Sequence, residues 1–581
     1  MNKINYILIF LFLLAINSFG QGLDQTIVKT IGKEKMFLHF STPVLLAGET
    51  LFYKAYCLER NNELSSISRI AFIELINEKL EVVVRQKIKL KNGHGYGDIF
   101  ISTDVPSGNY KLLAYTQWMK NWGINGFFQS DISIINPFRS DQNTVLLSSE
   151  NHSLTATLDI INSDSKNNYG NISAMQININ KKKFLKRDKV LLQLNAKNPE
   201  LINGYFSILV HKKNDFNIPT NNTPAQFSNS EVASHSRNIF FIPEMRGELI
   251  CGRISPTRPQ TVVNQKKVVL SIPGDNAFLE MASADENGKF CFNLSENHSR
   301  TEVLLQVLGS KKDDYSIELF QENNIDYSSL TFGKFIINPK MKESILKRSI
   351  HNQIENAYYG IKPDTIKVQE KQLPFYGING TIYELNDYTR FPSFKETLVE
   401  IINNVWVSKK GEDNYSVVVE GINQVYNTGA YQPLVIVDGI VIQNLNSLMS
   451  YNANKIKSIT VIREKYIVGS HIFEGVLDIV TFDNDYAKNV SIIDADKIIL
   501  NTIVPTKKYF KQAYNKVTSQ NSKHIPDYRY QLLWEPELNF SSSTQTLEFY
   551  TSDVSGNFEI NIVGFTKSGK PIKITETFVV E

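Results

Sequence analysis

Cysteine, histidine and acidic side chains are the groups whose spacing could carry chemistry in this sequence of 581 residues. None of its three cysteines has the neighbouring Glu-Gln pair that an internal thioester needs, and its nine histidines are scattered without metal-ligand spacing. The motifs H-E-x-x-H, G-x-x-x-x-G-K-[ST] and G-x-S-x-G are absent. The sequence therefore predicts a chain that is not an enzyme, with no catalytic residues, no metal site and no cofactor.

Asp438 stands out among the acidic residues because it interrupts the apolar run PLVIVDGIVI at 433–442. A carboxylate in such surroundings could serve as an acid or base. However, Asp-Gly is a preferred pair for the type I′ turn of a two-stranded hairpin, and an aspartate there can accept hydrogen bonds from nearby backbone donors. We therefore interpret Asp438 and Gly439 as a hairpin turn and not as a catalytic site.

The cysteines are Cys57, Cys251 and Cys291, and an odd number leaves at least one unpaired in an exported protein. Cys251 and Cys291 fall within one predicted small β domain, so they could form a disulfide. Free thiols buried on strands are the alternative, because cysteine is often buried as a small apolar residue. The sequence leaves both alternatives open.

Aromatic side chains are concentrated between positions 115 and 128. Trp and Tyr are favoured anchors of protein interfaces, so this group could bind a protein partner, or it could bind a glycan. The same rings could instead form the core edge of a β-sandwich, which is the interpretation we prefer. The candidate partner-binding residues are Tyr115, Trp118, Trp122, Phe127 and Phe128.

Composition and charge are those of an ordinary globular protein. The net charge of +3 is nearly neutral for this length, so a nucleic-acid partner is not expected. The segment 1–20 has one early lysine, a short apolar run and small residues at its end, which predicts a cleaved secretory signal peptide. No later stretch has about 18 consecutive apolar residues, so we expect no membrane span and a protein that is soluble after export.

Most of the remaining chain has the alternating pattern of β-strands separated by Gly, Asn and Asp turns. The fold class predicted is mainly β, with tandem antiparallel β-sandwiches and one small α+β domain. Two sandwiches are expected at 27–138 and 170–243, a third at 246–330 and a further sandwich segment at 486–581, which could complete an earlier domain. An amphipathic helix is expected at 339–360, with its apolar side chains at Ile345, Leu346, Ile350, Ile354 and Tyr358.

The α+β domain is expected at 374–485, and we call it the plug-like module. Its order is a helix with an apolar stripe at Leu398, Ile401, Ile402 and Val405, then a strand, the 433–442 hairpin, a short helix and two strands. This order resembles the plug domain of TonB-dependent outer-membrane receptors. The plug pattern is met at Val437-Asp438-Gly439, at Ile456, Ile459 and Val461, and at Gly475-Val476, Ile479 and Thr481.

Other segments extend the resemblance over nearly the whole mature chain. EKMFLHFSTPVLLAGETLFYKAYC at 34–57 and PSGNYKLLAYTQWMKNWG at 106–123 resemble the macroglobulin-type sandwich that opens a family of exported Bacteroidota proteins. The segment 246–330 resembles a prealbumin-like, carboxypeptidase-regulatory domain, which is a non-catalytic spacer. The resemblance implies a family with macroglobulin-like and carboxypeptidase-regulatory-like domains and a receptor plug, without the receptor barrel.

The function implied is that of a periplasmic protein associated with the outer membrane. A large receptor barrel uses about 22 strands of about 10 residues, and 486–581 is too short to supply them. We therefore expect an accessory or plug subunit that docks on an outer-membrane β-barrel protein, foremost a type IX protein-secretion translocon whose periplasmic opening it closes. The alternatives are an accessory component of a TonB-dependent uptake complex, or a free periplasmic protein that binds a glycan or another protein.

Overall fold

A computed structural model describes residues 31–142, 145, 175–213, 223–228, 241–259, 261–274, 277–294, 302–320, 325–367, 376–377, 380–409, 415–422, 431–468, 471–489, 495–514, 524–540 and 542–581. The predicted signal peptide at 1–20 lies outside these residues. The chain divides into two compact units. Unit 1 takes its described residues from Met1–Met245, Ile325–Lys367 and Val504–Glu581, and unit 2 takes them from Arg246–Asn324 and Val368–Ile503.

The described elements are mainly strands, as the sequence predicts. The strands of the first part of the chain are β1 Glu34–Phe40, β2 Val44–Leu46, β3 Thr50–Glu59, β4 Ile70–Asn77, β5 Val82–Lys89, β6 His94–Phe100, β7 Gly108–Tyr115, β8 Phe128–Ile135, β9 Met175–Ile179, β10 Lys183–Phe184, β11 Lys189–Ala196 and β12 Tyr205–Lys212. The next are β13 Glu248–Pro256, β14 Lys267–Ile272, β15 Phe278–Ser283, β16 Lys289–Leu294, β17 Glu302–Val307, β18 Tyr315–Leu319, β19 Thr365–Ile366, β20 Thr381–Glu384, β21 Val405–Lys409 and β22 Tyr415–Val419. The last are β23 Leu434–Val437, β24 Ile440–Val441, β25 Ile456–Val468, β26 His471–Thr481, β27 Asp496–Ile499, β28 Lys507–Lys508, β29 Gln531–Leu538, β30 Thr544–Tyr550, β31 Gly556–Phe565 and β32 Pro571–Val580. The helices are α1 Pro224–Ser228, α2 Lys342–Ala357, α3 Phe394–Glu400, α4 Asn446–Met449 and α5 Tyr486–Asn489.

The first sandwich of unit 1 is built from β1 to β8. One sheet has the order β1-β3-β6 and the other the order β2-β8-β7-β4-β5, and all these pairs are antiparallel except β2 with β8. Both faces of β3 are largely buried, which places even Lys54 in the interior. The Lys54 ammonium donates to the backbone oxygen of Phe206 at 3.0 Å, and burial lowers its pKa to about 7. The side of β3 that carries Lys54 is therefore covered by β12, on which Phe206 lies.

The second sandwich of unit 1 combines two distant parts of the sequence. Its sheets have the orders β10-β32-β31-β12-β29 and β30-β11-β9, so each sheet combines strands from 175–212 with strands from 531–580. The core joins Val190, Phe206 and Ile208 with Phe558 and Ile560, all fully buried. The segment 486–581 therefore does not form a domain of its own. Most of it completes the sandwich expected at 170–243, while β27 pairs with β17 of unit 2.

Helix α2 forms within the segment expected to be helical, and its buried face follows the predicted apolar stripe only in part, since Ile345 is buried. Leu346 and Ile350 of the predicted apolar stripe are 57% and 47% exposed, whereas Arg348 is buried. Arg348 forms a bidentate pair with Glu49, with Nε–Oε1 and Nη2–Oε2 distances of 2.7 and 2.8 Å. Polar contacts to the loop before β3 thus act together with the burial of Ile345 in fixing the buried face.

Unit 2 contains a sandwich and the plug-like module. The sandwich sheets have the orders β16-β13-β18 and β15-β14-β17-β27, with antiparallel pairing throughout. The plug-like module has a sheet of order β20-β25-β26-β23-β24 and a separate β21-β22 ribbon. Helix α3 begins at a capping box between Ser393 and Glu396. The apolar stripe predicted to be helical extends beyond the end of α3. Helix α3 ends at Glu400, Asn404 has a φ of 64°, and Val405 begins β21.

Candidate functional site

The 433–442 hairpin has the turn that the sequence predicts. Asp438 and Gly439 have φ values of 49° and 84°, and a type I′ turn requires a positive φ at both positions. The Asp438 carboxylate accepts hydrogen bonds from Thr481 N at 2.8 Å, Thr481 Oγ1 at 2.7 Å and Tyr486 N at 3.1 Å. These donors anchor the end of β26 and the start of α5 to the turn, so the carboxylate performs a structural role.

The continuous apolar pattern of this hairpin reflects burial of both its faces. Val435 and Val437 belong to the core of the plug-like module. Leu434 and Ile436 point to the other face, where they pack in a cluster with Val269 of the unit 2 sandwich. A strand that is buried on both sides does not show the alternation typical of a half-exposed strand. The hairpin therefore lies inside unit 2, between the core of the plug-like module and the sandwich. Its apolar side chains are not exposed to a partner.

The five aromatic candidates of the first sandwich are all buried. Tyr115 stacks on Phe127 with ring centroids 4.3 Å apart and donates from its hydroxyl to Glu74 at 2.9 Å. Trp118 packs edge-on against Trp122 at 5.2 Å, and its indole N–H donates to Gly32 O at 2.8 Å. The ring of Phe128 packs edge-on against the buried ring of Phe37. The rings thus line the interior of the sandwich, as in the alternative we preferred, and a partner cannot reach them in the folded state.

The cysteines take two different states. Cys251 and Cys291 lie directly opposite each other on the antiparallel strands β13 and β16, and a disulfide joins them. Cys57 is a free thiol buried on β3, and burial raises its pKa well above the usual value. A thiol held in its neutral form is a poor nucleophile. Cys57 therefore contributes to packing in the core of the first sandwich.

A cleft that no sequence motif marks lies within unit 1. Its volume is about 680 Å³, and its walls come from four stretches of chain: the β1-to-β3 segment with the end of β6, the end of β12, the helix α2 with the residues that follow it, and the segment 507–534. Tyr359 and Phe100 are each 56% exposed on the lining, while Trp534 is 3% exposed. We refer to it as the unit 1 cleft.

Most charged side chains of the unit 1 cleft form ion pairs. Lys507 Nζ lies 2.9 Å from both carboxylate oxygens of Asp98. Lys362 Nζ lies 2.8 Å from Glu355 Oε2. Arg348 pairs with Glu49 as described above, and Arg529 forms a bidentate pair with Asp527 at 2.6 and 2.7 Å. These cations therefore present little unbalanced positive charge to a ligand.

Two polar groups of the unit 1 cleft have unused hydrogen-bonding capacity. The Trp534 indole N–H is buried and has no hydrogen-bond partner among the described residues. The Asp364 carboxylate accepts one bond, from Phe510 N at 2.9 Å, and burial is the main cause that raises its pKa. Buried donors normally have a partner, so an unused indole N–H on a cleft wall is consistent with a binding site.

Three aromatic residues of this cleft follow a pattern that the sequence displays but that we did not interpret. Tyr528, Tyr530 and Trp534 are separated by even numbers of residues. However, Tyr528 and Tyr530 precede β29 and a register shift lies between Gln531 and Leu533, so the three rings do not share one strand face. The other walls could not be found from sequence, because they lie more than 150 positions away in the chain.

No group of three or more His, Cys, Asp and Glu side chains arranged to hold a metal ion is found in the part of the chain that the structure describes. Nor does any helix within those residues have the length and apolar character to cross a membrane.

The solved structures similar to this chain include bacterial alpha-2-macroglobulins. The Salmonella protein reacted with methylamine is 8% identical, with a TM-score of 0.23 and coverage of 94% of this chain and 39% of that chain. The Escherichia coli protein activated by porcine elastase is 9% identical, with a TM-score of 0.23 and coverage of 94% and 44%. The chain thus spans about two fifths of the length of these proteins. Similarity at this level carries no argument about activity, and the β-sandwich architecture described above rests on the strand pairing of the chain itself.

No protein-family model matches the sequence, and no curated protein matches it.

Proposed function

We propose that the chain is a non-enzymatic, exported accessory subunit that docks on a β-barrel complex of the outer membrane. The foremost candidate for that complex is a type IX protein-secretion translocon whose periplasmic opening the subunit closes. The barrel and the secretion machine are inferred from the family resemblance of the sequence. The identities of the plug and of the carboxypeptidase-regulatory-like domain are likewise predictions from sequence.

The observation that carries the proposal is the exposed β21-β22 ribbon of the plug-like module. Trp406 on β21 is 51% exposed, while its neighbour Val405 is buried in the module core. A half-exposed tryptophan is a typical anchor of a protein interface. Helix α3 packs against β21 and carries Val399, which is 63% exposed. Two exposed apolar side chains therefore lie on elements that pack against each other.

The ribbon also supports docking through its backbone. Within the described residues β21 and β22 pair only with each other, so each has an outer edge that joins no further strand. Unpaired strand edges bind an added strand of a partner protein. The buried 433–442 hairpin cannot serve this purpose, which makes the ribbon the better docking candidate within the plug-like module.

Site-specific photo-crosslinking in cells tests the proposal. A photoreactive phenylalanine derivative replaces Trp406 in one variant and Leu346, which is 57% exposed on α2, in the control variant. We expect an adduct with an outer-membrane β-barrel protein at position 406 and none at position 346. A mature protein that yields no barrel adduct at position 406, and that is purified from solubilised envelopes as a monomer, would contradict the proposal.

A further inference from the structure

We propose that the unit 1 cleft is a binding site for a neutral oligosaccharide. Its volume of about 680 Å³ falls within the range of about 300 to 1,000 Å³ typical of small-molecule sites. This inference concerns a ligand site in unit 1 and is independent of docking through the plug-like module.

Aromatic side chains on the walls of the cleft provide surfaces on which sugar rings can stack. Phe52 is partly exposed and is held by the buried rings of Tyr509, which it meets edge-on at 5.1 Å, and Trp534. Tyr528 is partly exposed and stacks on His351, with ring centroids 4.2 Å apart, and Tyr359 is largely exposed. A pyranose ring presents an apolar C–H face to such rings and hydroxyl groups along its rim. Rigid aromatic walls with a few polar groups match that amphipathic shape.

Polar groups with unused hydrogen-bonding capacity also line the cleft. The Asp364 carboxylate accepts one bond, from Phe510 N, and can accept another from a ligand hydroxyl. The Gln531 side-chain amide lines the cleft and makes no hydrogen bond with other described residues, so it can both donate and accept. A sugar hydroxyl is both donor and acceptor, which allows it to bond to both groups.

The charges argue against an anionic ligand. Four cationic side chains of the cleft are already paired with carboxylates, namely Arg348, Lys362, Lys507 and Arg529. Lys212 also lines the cleft, where its ammonium lies 5.2 Å from the centre of the Tyr530 ring. A phosphate or sulfate would have to break one of these pairs, whereas a neutral polar ligand would leave them intact.

The edge strand argues against an extended peptide. β29 lies at the edge of its sheet and borders the cleft, so it could in principle accept a further strand. However, Pro536 lies within β29, and Glu535 and Glu537 are held in ion pairs by Lys511 and Lys367. Proline and charged residues on an edge strand oppose the addition of a strand. The cleft therefore fits an oligosaccharide better than a peptide.

Calorimetric titration of the full mature chain tests this proposal. The probes are neutral tri- and tetrasaccharides of glucose, N-acetylglucosamine, mannose and xylose. We expect saturable binding of at least one of them, and a loss of affinity of about tenfold in Tyr359→Ala and in Gln531→Ala, which corresponds to about 1.4 kcal/mol. Tyr358→Ala is the matched control, because Tyr358 is also exposed and adjacent but does not line the cleft.

Thermal unfolding of each variant separates loss of a ligand contact from loss of the fold, and both exposed tyrosine variants should melt as the unaltered chain does. The proposal is overturned if no probe binds, if binding survives unchanged in Tyr359→Ala and Gln531→Ala, or if only acidic saccharides or extended peptides bind. Failure here leaves docking through Trp406 untouched, since that residue belongs to the other unit.

Discussion

At the scale of single residues, two carboxylates of the plug-like module show how surroundings decide the role of a charge. Asp438 receives three hydrogen bonds from Thr481 and Tyr486, which offset the cost of its burial. Asp478 lies on the neighbouring strand β26 and has the hydroxyl of Tyr376 as its side-chain hydrogen-bond donor. Burial raises the pKa of Asp478 to about 6, and the nearby charge of Asp438 adds to the shift.

The raised pKa of Asp478 predicts a stabilising substitution. Well below a pH of about 4 both the folded and unfolded carboxyls are protonated, so the folded state has no penalty. As the pH rises toward 6, the unfolded carboxyl ionises first and the folded state loses stability relative to it. We expect Asp478→Asn to be more stable than the unaltered chain at pH 7.5 by about 1 to 2 kcal/mol. Thermal unfolding at pH 4 and at pH 7.5 measures this, and the gain should be much smaller at pH 4.

Asp483→Asn is the matched control for this measurement, because Asp483 is exposed and lies only five positions away. It should change the melting temperature little at either pH. A gain for Asp478→Asn that is the same at pH 4 and pH 7.5 would show that the raised pKa of this carboxyl is not its cause.

At the scale of elements, the position of the β23-β24 hairpin depends on the absence of a side chain at Gly439. A Cβ atom there would lie 2.4 Å from the Cβ of Ala277 in the unit 2 sandwich, and the φ of 84° disfavours any L side chain. We expect Gly439→Ala to destabilise unit 2 by about 2 to 4 kcal/mol, with about 1 kcal/mol from the backbone and the rest from the clash. Urea unfolding, monitored by a spectroscopic signal from unit 2, measures the loss of stability.

Gly309→Ala separates the two contributions. Gly309 has a φ of 68°, but nothing lies within 4 Å of a Cβ atom built on it. This variant should therefore show only the backbone cost of about 1 kcal/mol. Equal losses in the two variants would mean that the hairpin is not in close contact with the sandwich.

The sequence predicted local elements well, since local chemistry determines them. The Asp438-Gly439 turn and the strands of the first sandwich follow from residue type and spacing. The burial of Arg348 on α2 could not be predicted, because it depends on a distant carboxylate, Glu49. The unit 1 cleft was missed for the same reason: its walls meet only when segments separated by hundreds of residues pack together.

At the scale of the whole molecule, the chain passes repeatedly between the two units, so neither is continuous in sequence. The second sandwich of unit 1 is the clearest consequence. Strands β11 and β12 contribute part of the core in each of its two sheets, and their neighbours β30 and β31, together with β32, come from more than 300 positions later. Such a core cannot form until the end of the chain is present.

Removal of the last strands should therefore unfold part of unit 1 and leave unit 2 intact. We expect a chain that ends at residue 503 to lose amide-exchange protection in 189–212, because the buried side chains of β11 and β12 would lose the apolar partners supplied by β29 to β32. Protection in 431–481 should persist, since the hydrogen-bonded partners of β23 to β26 all lie before residue 503. Hydrogen exchange read by mass spectrometry measures both regions in one sample. Addition of a 504–581 fragment should restore protection in 189–212, and full protection without that fragment would show that the sandwich forms without its C-terminal strands.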